Sequence, residues 1–268
     1  DNKHYYSQFE NGLFSPTGFV PAGMVQNPAF GPSAAALSNT VAANGISAVY
    51  AGDDGKAYHV DKLGPGGAWA PSSQVVGSTV DNSVAPAAII DAANDLLVFY
   101  VRQSDKRLCM NKLTTPQNTW GVEQVLHQNA LSAQSPSVTL TSTGDILVAW
   151  HGFNDEGVYF LRGNDGAWGA PVTVATPLTP TTRPIALRGL SGADAEIVYA
   201  TGGKLKHARV SGAMAMASSA RATTPRRCSP GSAARTRSLY RLGRTACGAP
   251  VQLLGEPLPY GLWFSYRV

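Results

Sequence analysis

Residues 46–59 read Ile46-Ser-Ala-Val-Tyr-Ala-Gly-Asp-Asp-Gly-Lys-Ala-Tyr-His59, which is an apolar run, a polar turn and a second apolar run. Short runs of β-branched and aromatic residues on either side of an Asp-Gly pair are typical of a β-hairpin. The first run ends in an aromatic residue, Tyr50, shortly before the turn. The segment therefore predicts two antiparallel strands joined by a tight turn.

This hairpin motif recurs along the chain. The aromatic ends of its first runs are 50, 50 and 49 positions apart, at Tyr50, Tyr100, Trp150 and Tyr199. A fifth run of the same kind is Leu262-Trp-Phe264. A proline opens another short apolar run upstream of each one, at Pro32, Pro86, Pro136, Pro184 and Pro250. Repetition at this period indicates one structural unit used five times.

Each unit also continues downstream of its hairpin. In the first three units a turn leads to a tryptophan, at Trp69, Trp120 and Trp168, and then to a last short apolar run. Four short strands per unit and no sustained helical periodicity predict an all-β fold with little helix. One small twisted sheet cannot cover its own faces, whereas a ring of such sheets covers them all. We therefore predict a single domain over residues 1–268, a five-bladed β-propeller of four-stranded antiparallel blades.

The two ends of the chain complement each other in this scheme. The N-terminal run Asp1–Tyr6 matches a turn and third strand, and the C-terminal run Leu262–Val268 matches a second strand. We expect Trp263–Tyr266 to lie beside Lys3–Tyr6, so that pairing of the N- and C-terminal strands closes the propeller. Closure would remove the exposed sheet edges that invite aggregation.

Composition narrows the classes of partner. Only 14% of residues are charged, and no apolar run reaches the roughly 18–20 residues that a membrane helix needs. The net charge of +4 divides into −3 over residues 1–210 and +7 over residues 211–268, so most of the chain is mildly acidic. We expect no nucleic-acid partner and no membrane partner. Low charge and many turn residues favour a secreted protein, and we expect that any leader has been removed.

Residues 211–248 depart from the repeat. They hold seven arginines and no Asp, Glu, Asn, Lys, Val, Ile, Phe or Trp. One interpretation is an inserted basic loop closed by a disulfide between Cys228 and Cys247, which would favour an oxidising compartment. The other is a reading-frame or sequencing error within otherwise correct sequence. Cys109 lies in a third strand and is predicted to be a buried apolar filler.

The recurring aromatic residues are the candidate carbohydrate-binding positions. The apolar C–H face of a sugar packs against an aromatic ring, and nearby polar groups bond to its hydroxyls. We therefore nominate Tyr50, Tyr100, Trp150 and Tyr199 as stacking platforms, with Arg102 and His151 as hydrogen-bonding partners. The alternative interpretation is packing between blades for the aromatic residues and solvated loop positions for Arg102 and His151.

Other chemistry finds little support in the sequence. The turn acids Asp54, Asp105 and Asp155 suit turn formation, and the five histidines lack metal-ligand spacing. We expect no metal and no cofactor. A glycoside hydrolase needs two carboxylates about 5–10 Å apart, and no Glu stands out from its unit. Near-equivalent units suit multivalent binding better than one catalytic pocket.

The runs Ile46–His59 and Gly66-Gly-Ala-Trp69 resemble the repeats of sugar-binding propellers. These are the fungal fucose lectins, the related bacterial propeller lectins and the five-bladed tachylectin type. The segment Asp145–Trp168 also resembles the Asp-box repeat of sialidase-like propellers. Its Asn164-Asp-Gly-Ala-Trp168 lacks the usual Ser/Thr start, Arg183-Pro184-Ile185 is not the sialidase Arg-Ile-Pro motif, and sialidase rings are usually six-bladed.

The resemblance implies a secreted, non-catalytic carbohydrate-binding propeller with sugars in the clefts between blades. Two other functions remain open on the sequence alone. One is a glycoside hydrolase or polysaccharide lyase of the sialidase-like or five-bladed kind, with a catalytic pair that the sequence does not identify. The other is a scaffold for protein partners that uses the arginine-rich stretch as a contact.

Overall fold

The computed structural model describes residues 5–10, 13–14, 18–19, 33–36, 46–62, 68–75, 77, 79–114, 118–155, 157–164, 166–175, 184–188, 194–201, 204–212, 214–218 and 261–264. Every regular element within these ranges is a β-strand. The described part therefore holds no helix able to cross a membrane. The predicted all-β class is confirmed.

The strands are numbered β1 to β22 in chain order. The first seven are β1 Tyr5–Glu10, β2 Leu13–Phe14, β3 Gly18–Phe19, β4 Ser33–Ala36, β5 Ile46–Ala51, β6 Ala57–Lys62 and β7 Ser73–Gln74. The next ten are β8 Ala87–Ile90, β9 Leu96–Val101, β10 Leu108–Thr114, β11 Thr119–Trp120, β12 Gln124–Val125, β13 Ser137–Leu140, β14 Ile146–His151, β15 Val158–Asn164, β16 Ala167–Trp168 and β17 Val172–Ala175. The last five are β18 Ile185–Arg188, β19 Ala195–Thr201, β20 Lys204–Ser211, β21 Met214–Ser218 and β22 Gly261–Phe264.

These strands form five antiparallel sheets. Four follow the repeat: sheet I (β4–β7), sheet II (β8–β12), sheet III (β13–β17) and sheet IV (β18–β21). In each of them the first strand pairs with the second and the second with the third. The predicted order of strands within a unit is therefore what the structure has. In sheets II and III the outer position is divided between two short strands that both pair with the third strand.

The fifth sheet joins the two ends of the chain, and we call it the terminal sheet. It contains β1, β2, β3 and β22, with β1 antiparallel to β22. The register places Tyr6 opposite Phe264 and Ser7 opposite Trp263. The end strands thus lie side by side, with the N-terminal partner a few residues further along than the predicted run Lys3–Tyr6.

Successive sheets pack face to face through apolar clusters. One cluster joins sheets I and II, a second joins sheets II and III, and a third joins sheets III and IV. The first strands also contact one another in order, β4 with β8, β8 with β13 and β13 with β18. The sequence of the first of these strands, Ser33–Ala36, consists of small residues.

The stretch predicted to be irregular, residues 211–248, begins with regular structure. Ser211 ends β20, and Met214–Ser218 forms β21, the outer strand of sheet IV. The register pairs Ser211 with Met214 and His207 with Ser218. The start of the predicted irregularity is therefore wrong, because these residues complete the fourth sheet. Residues 219–248, with Cys228 and Cys247, and the predicted first strand after Pro250 lie outside the described residues.

Candidate functional site

The four described aromatic candidates lie one or two residues before the ends of the second strands of their sheets. Tyr50 is 0% exposed, Tyr100 2%, Trp150 1% and Tyr199 3%. Tyr100 lies in the cluster shared with sheet I, Trp150 in that shared with sheet II and Tyr199 in that shared with sheet III, so each ring faces the preceding sheet. The side chain of Phe264, the fifth aromatic residue of the repeat, lies outside the described part.

Third-strand aromatic residues cover two of these rings. Tyr50 stacks on Tyr58 with ring centroids 5.6 Å apart, and Trp150 stacks on Tyr159 at 5.8 Å. Offset stacking of this kind adds about 0.5–1.5 kcal/mol to the burial of two rings. Each pair lies within one sheet and covers a second-strand ring, and direct sugar stacking on these rings stays a prediction.

The outer tryptophans also contact the preceding sheet. Trp120 meets the ring of His59 edge to face at 5.4 Å, and Trp168 meets Phe99 at 6.0 Å. Trp69 packs against an apolar cluster within its own sheet, which includes Tyr50 and Tyr58. Trp120 and Trp168 thus add contacts between neighbouring sheets at their outer edge.

The turn acids stabilise the hairpin turns. The Asp54 carboxylate accepts a hydrogen bond from the Lys56 backbone N–H at 3.2 Å, and Asp155 accepts one from Gly157 at 2.7 Å. Asp105 accepts the N–H of Arg107 at 3.3 Å. An aspartate that bonds the backbone two residues onward is a common turn device. This is the role that the sequence favours for these residues.

The side chain of Arg102 lies in a polar cluster, which we call the Arg102 cluster, made of Tyr100, Arg102, Asp105 and Glu123. Arg102 donates from Nε and Nη2 to Asp105 at 2.9 and 2.6 Å, and from Nη1 to Glu123 at 2.9 Å. The Tyr100 hydroxyl donates to the other oxygen of Glu123 at 2.6 Å. The Arg102 side chain keeps 18% of its surface exposed, that of Asp105 30% and that of Glu123 13%. The cluster is therefore built on the sheet but reachable from solvent.

Electrostatics fix the charges of this cluster. The Arg102 guanidinium, by its hydrogen bonds, lowers the pKa of Asp105 to about 2. Hydrogen bonding to Asp105 raises the pKa of Arg102. Burial and then the hydrogen bond to Glu123 raise the pKa of Tyr100. At neutral pH the cluster thus presents a fixed guanidinium, an ionised Asp105 and a protonated phenol.

His151 lies at a different junction from Arg102, so the structure does not bring these two candidates together. It ends β14 and is 4% exposed, so the solvated-loop interpretation is wrong for it. Its Nδ1 lies 3.0 Å from the Gly152 carbonyl, to which it donates, and its buried Nε2 has no hydrogen-bond partner among the described residues. Sugar binding by His151 stays a prediction.

A second charged network lies near the opposite end of the hairpins. Arg162 donates from Nε to Asp145 at 2.9 Å and from Nη1 to Asp194 at 2.7 Å, which ties sheet III to sheet IV. The Thr143 hydroxyl accepts from Nη2 at 2.6 Å. These bonds occupy the guanidinium with protein acceptors, so we assign it a structural role. The described residues contain no group of three or more His, Cys, Asp or Glu arranged to hold a metal.

The prediction for Cys109 is confirmed, since its side chain is 0% exposed and uncrosslinked. Burial raises the pKa of its thiol to about 12. In a variant with Cys228 and Cys247 changed to serine, we expect Cys109 to react with a disulfide reagent at pH 8 roughly a thousandfold more slowly than in denaturant, because only the thiolate attacks. Absorbance of the released thiolate measures the rate. Equal rates in both conditions would contradict the buried placement.

Sequence reasoning missed Glu123 and the role of Asp105. A signal for them exists in the repeat: the position that is Gly52 and Gly152 in sheets I and III is Arg102 in sheet II. The residue opposite the second-strand aromatic changes with it, from Tyr58 and Tyr159 to Cys109.

No family model matches the chain, and no curated protein matches its sequence. Solved structures do. A mutant of the Aleuria aurantia lectin in complex with α-methyl-L-fucoside aligns with TM-score 0.55 and 18% identity over 80% of this chain and 69% of that one. AofleA from Arthrobotrys oligospora aligns with TM-score 0.53 and 12% identity over 81% and 65%.

The SapL1 lectin in complex with α-methyl fucoside aligns with TM-score 0.52 and 16% identity over 81% of this chain and 73% of that one. This chain thus spans about two thirds of the length of these neighbours. At such identities the similarity concerns the fold alone. The predicted resemblance to propeller lectins is confirmed: the chain has an antiparallel, propeller-like fold similar to theirs.

Proposed function

We propose that this protein is a lectin-like, carbohydrate-binding propeller that acts outside the cell. The similarity to lectins solved with fucosides, over about four fifths of the chain, carries the proposal. We further propose that the five sheets are the blades of one ring, closed through β1 and β22. Face-to-face packing of sheets I–IV and the contacts among their first strands support this arrangement.

The proposed sugar sites lie in the clefts between blades, where the second strands end. Among the described junctions the Arg102 cluster is the best-equipped, because guanidinium N–H groups and carboxylate oxygens bind sugar hydroxyls directly. Three of the five N–H groups of Arg102 are used by Asp105 and Glu123. Val122, next to Glu123, is 86% exposed and offers an apolar contact beside the polar groups.

Binding fits this cluster better than hydrolysis does. A glycosidase needs a carboxylic acid whose raised pKa keeps it protonated at neutral pH. The pKa of Asp105 is lowered to about 2, chiefly by hydrogen bonds from Arg102, so it carries no proton to donate. Glu123 is held by the same guanidinium and by the Tyr100 hydroxyl.

A glycan panel that includes L-fucosides, combined with an assay for reducing ends, tests the proposal. We expect binding without turnover. Glu123→Gln keeps the shape of the side chain but removes its charge, and we expect it to weaken binding about tenfold, in line with a lost charge-assisted hydrogen bond.

The matched control is Arg162→Lys, which alters an arginine–carboxylate network of similar exposure away from the proposed clefts. We expect it to leave glycan binding unchanged, and thermal unfolding of both variants checks that they fold. Turnover would favour the enzyme alternative. Failure of the wild-type chain to bind any glycan would contradict the proposed function.

A further inference from the structure

The turn end of sheet IV carries two exposed lysines that have no counter-charge among the described residues. Lys204 and Lys206 begin β20, and both side chains are solvent-exposed, as is the intervening Leu205 at 45%. Neither lysine forms an ion pair with any residue in the described part of the chain. Because side chains alternate along a strand, Lys204 and Lys206 lie on one face, about 7 Å apart.

In sheets I and II a carboxylate pairs with the cation at the equivalent position. Lys56 is the first residue after the turn of sheet I, and its Nζ lies 4.0 Å from Asp54. Arg107 holds that position in sheet II, 3.2 Å from Asp105. The segment before Lys204 in the sequence is Gly202-Gly203, which has no acid. Sheet IV therefore keeps the cation of the repeat and lacks its carboxylate.

The described carboxylates of sheet IV lie at the opposite end of its hairpin. Asp194 pairs with Arg162 of sheet III at 2.7 Å, and Glu196 lies 3.7 Å from Arg209. The register places Glu196 opposite Arg209 and Thr201 opposite Lys204, so the length of the hairpin separates these acids from the two lysines.

Sheet IV also has a lysine where sheets I and III have a third-strand tyrosine. Lys206 stands opposite Tyr199, where sheets I and III have Tyr58 and Tyr159 opposite their second-strand aromatic residues. A position that elsewhere stacks an aromatic ring thus presents an ammonium group at the rim between sheets III and IV. Two flexible cations on one face suit acidic groups that recur along a polymer.

We propose that Lys204 and Lys206 form a binding site for the acidic groups of an anionic polysaccharide, either uronate carboxylates or sulfate esters. The site goes beyond the proposed function because it does not use the Arg102 cluster. Only the choice of a polysaccharide over another polyanion rests on that function. Because residues 211–268 carry a net charge of +7, polyanion binding is assigned to this site only where changing the two lysines weakens it.

Two pairs of polymers test it, each with one backbone and two charge states. These are polygalacturonate with its methyl ester, and dextran sulfate with dextran. We expect the full chain to bind the acidic member of at least one pair, and binding to weaken as salt rises from roughly 0.05 to 0.5 M. The pair that responds identifies carboxylate or sulfate as the ligand group.

The double variant Lys204→Gln/Lys206→Gln should bind that acidic polymer about tenfold more weakly, as expected for two exposed ion pairs. Lys56→Gln is the matched control, because Lys56 occupies the equivalent position beside Asp54. We expect less than about a twofold change from it. Both variants replace exposed side chains and are expected to fold normally.

Three results would overturn the site: no binding of either acidic polymer, equal binding by the double variant, or equally tight binding of an oligothymidylate of similar charge. The last result would assign the lysines to nucleic acid. If the wild-type chain binds an acidic polymer but no L-fucoside, that result would count against the proposed function and leave this site in place.

Discussion

Replacing Trp150 with alanine will lower the free energy of unfolding by about 3–5 kcal/mol, the loss typical of large aromatic side chains in cores. Trp150 is 1% exposed and lies in the cluster that joins sheets II and III, which also contains Phe99 and Met110. Its removal opens a cavity between two sheets and takes away the ring on which Tyr159 stacks. Urea unfolding followed by circular dichroism measures the change.

Two further variants keep this prediction testable if the alanine variant does not fold. Trp150→Tyr installs the residue found at the same place in sheets I, II and IV, and should cost about 1–3 kcal/mol because part of the packing remains. Val122→Ala alters a side chain that is 86% exposed and should change stability by less than about 0.5 kcal/mol. An alanine variant as stable as the wild type would mean that Trp150 does not join the two sheets.

The strands of this fold are predictable from sequence because their determinants are local. The 50-residue spacing of Tyr50, Tyr100 and Trp150 and the turn acids after them define hairpins without any long-range information. The structure places β5, β9 and β14 on those runs. The strand β21 is harder to predict, because Met214–Ser218 contains no β-branched or aromatic residue to mark it as a strand.

The candidate site is less predictable because burial and pairing depend on register between sheets. His151 looks exposed in sequence, at the end of a strand beside a turn, yet neighbouring structure leaves it 4% exposed. Arg102 pairs with Glu123, which is 21 residues away and on the far side of β10. The alternation of side chains along a strand predicts on which face of the sheet a residue lies. Whether that face is exposed to solvent depends on how whole sheets pack.

The second large effect on the free energy of unfolding is expected when residues of sheet II are replaced by those at the equivalent positions of sheet I. In sheets I and III a tyrosine hydroxyl reaches the turn acid, Tyr58 to Asp54 at 2.7 Å and Tyr159 to Asp155 at 3.3 Å. In sheet II Cys109 replaces the tyrosine, and Arg102 supplies the donors to Asp105 instead. Each of these three turn acids thus accepts side-chain hydrogen bonds from a neighbour, which is a tyrosine in sheets I and III and Arg102 in sheet II.

The two routes exclude each other sterically. A Cβ on Gly52 would lie 2.7 Å from the Asp54 carboxylate and 2.8 Å from the Tyr58 ring. A tyrosine therefore requires glycine at this position, whereas cysteine leaves room for Arg102. Glu123, which binds Arg102, corresponds to Ser72 in the register of sheet I, so three positions change together.

We expect Cys109→Tyr alone to cost about 3 kcal/mol, because the ring overfills a core position that is 0% exposed. Arg102→Gly alone should cost about 2 kcal/mol, since it removes the cation that pairs with the mostly buried Glu123 and leaves Asp105 with Arg107 alone. The triple variant Arg102→Gly/Cys109→Tyr/Glu123→Ser rebuilds the arrangement of sheet I. Its free energy of unfolding should therefore lie within about 1–2 kcal/mol of that of the wild type. Urea midpoints of the single, double and triple variants measure the coupling. Losses that simply add would mean that the tyrosine and the arginine do not compete for one space beside the turn acid.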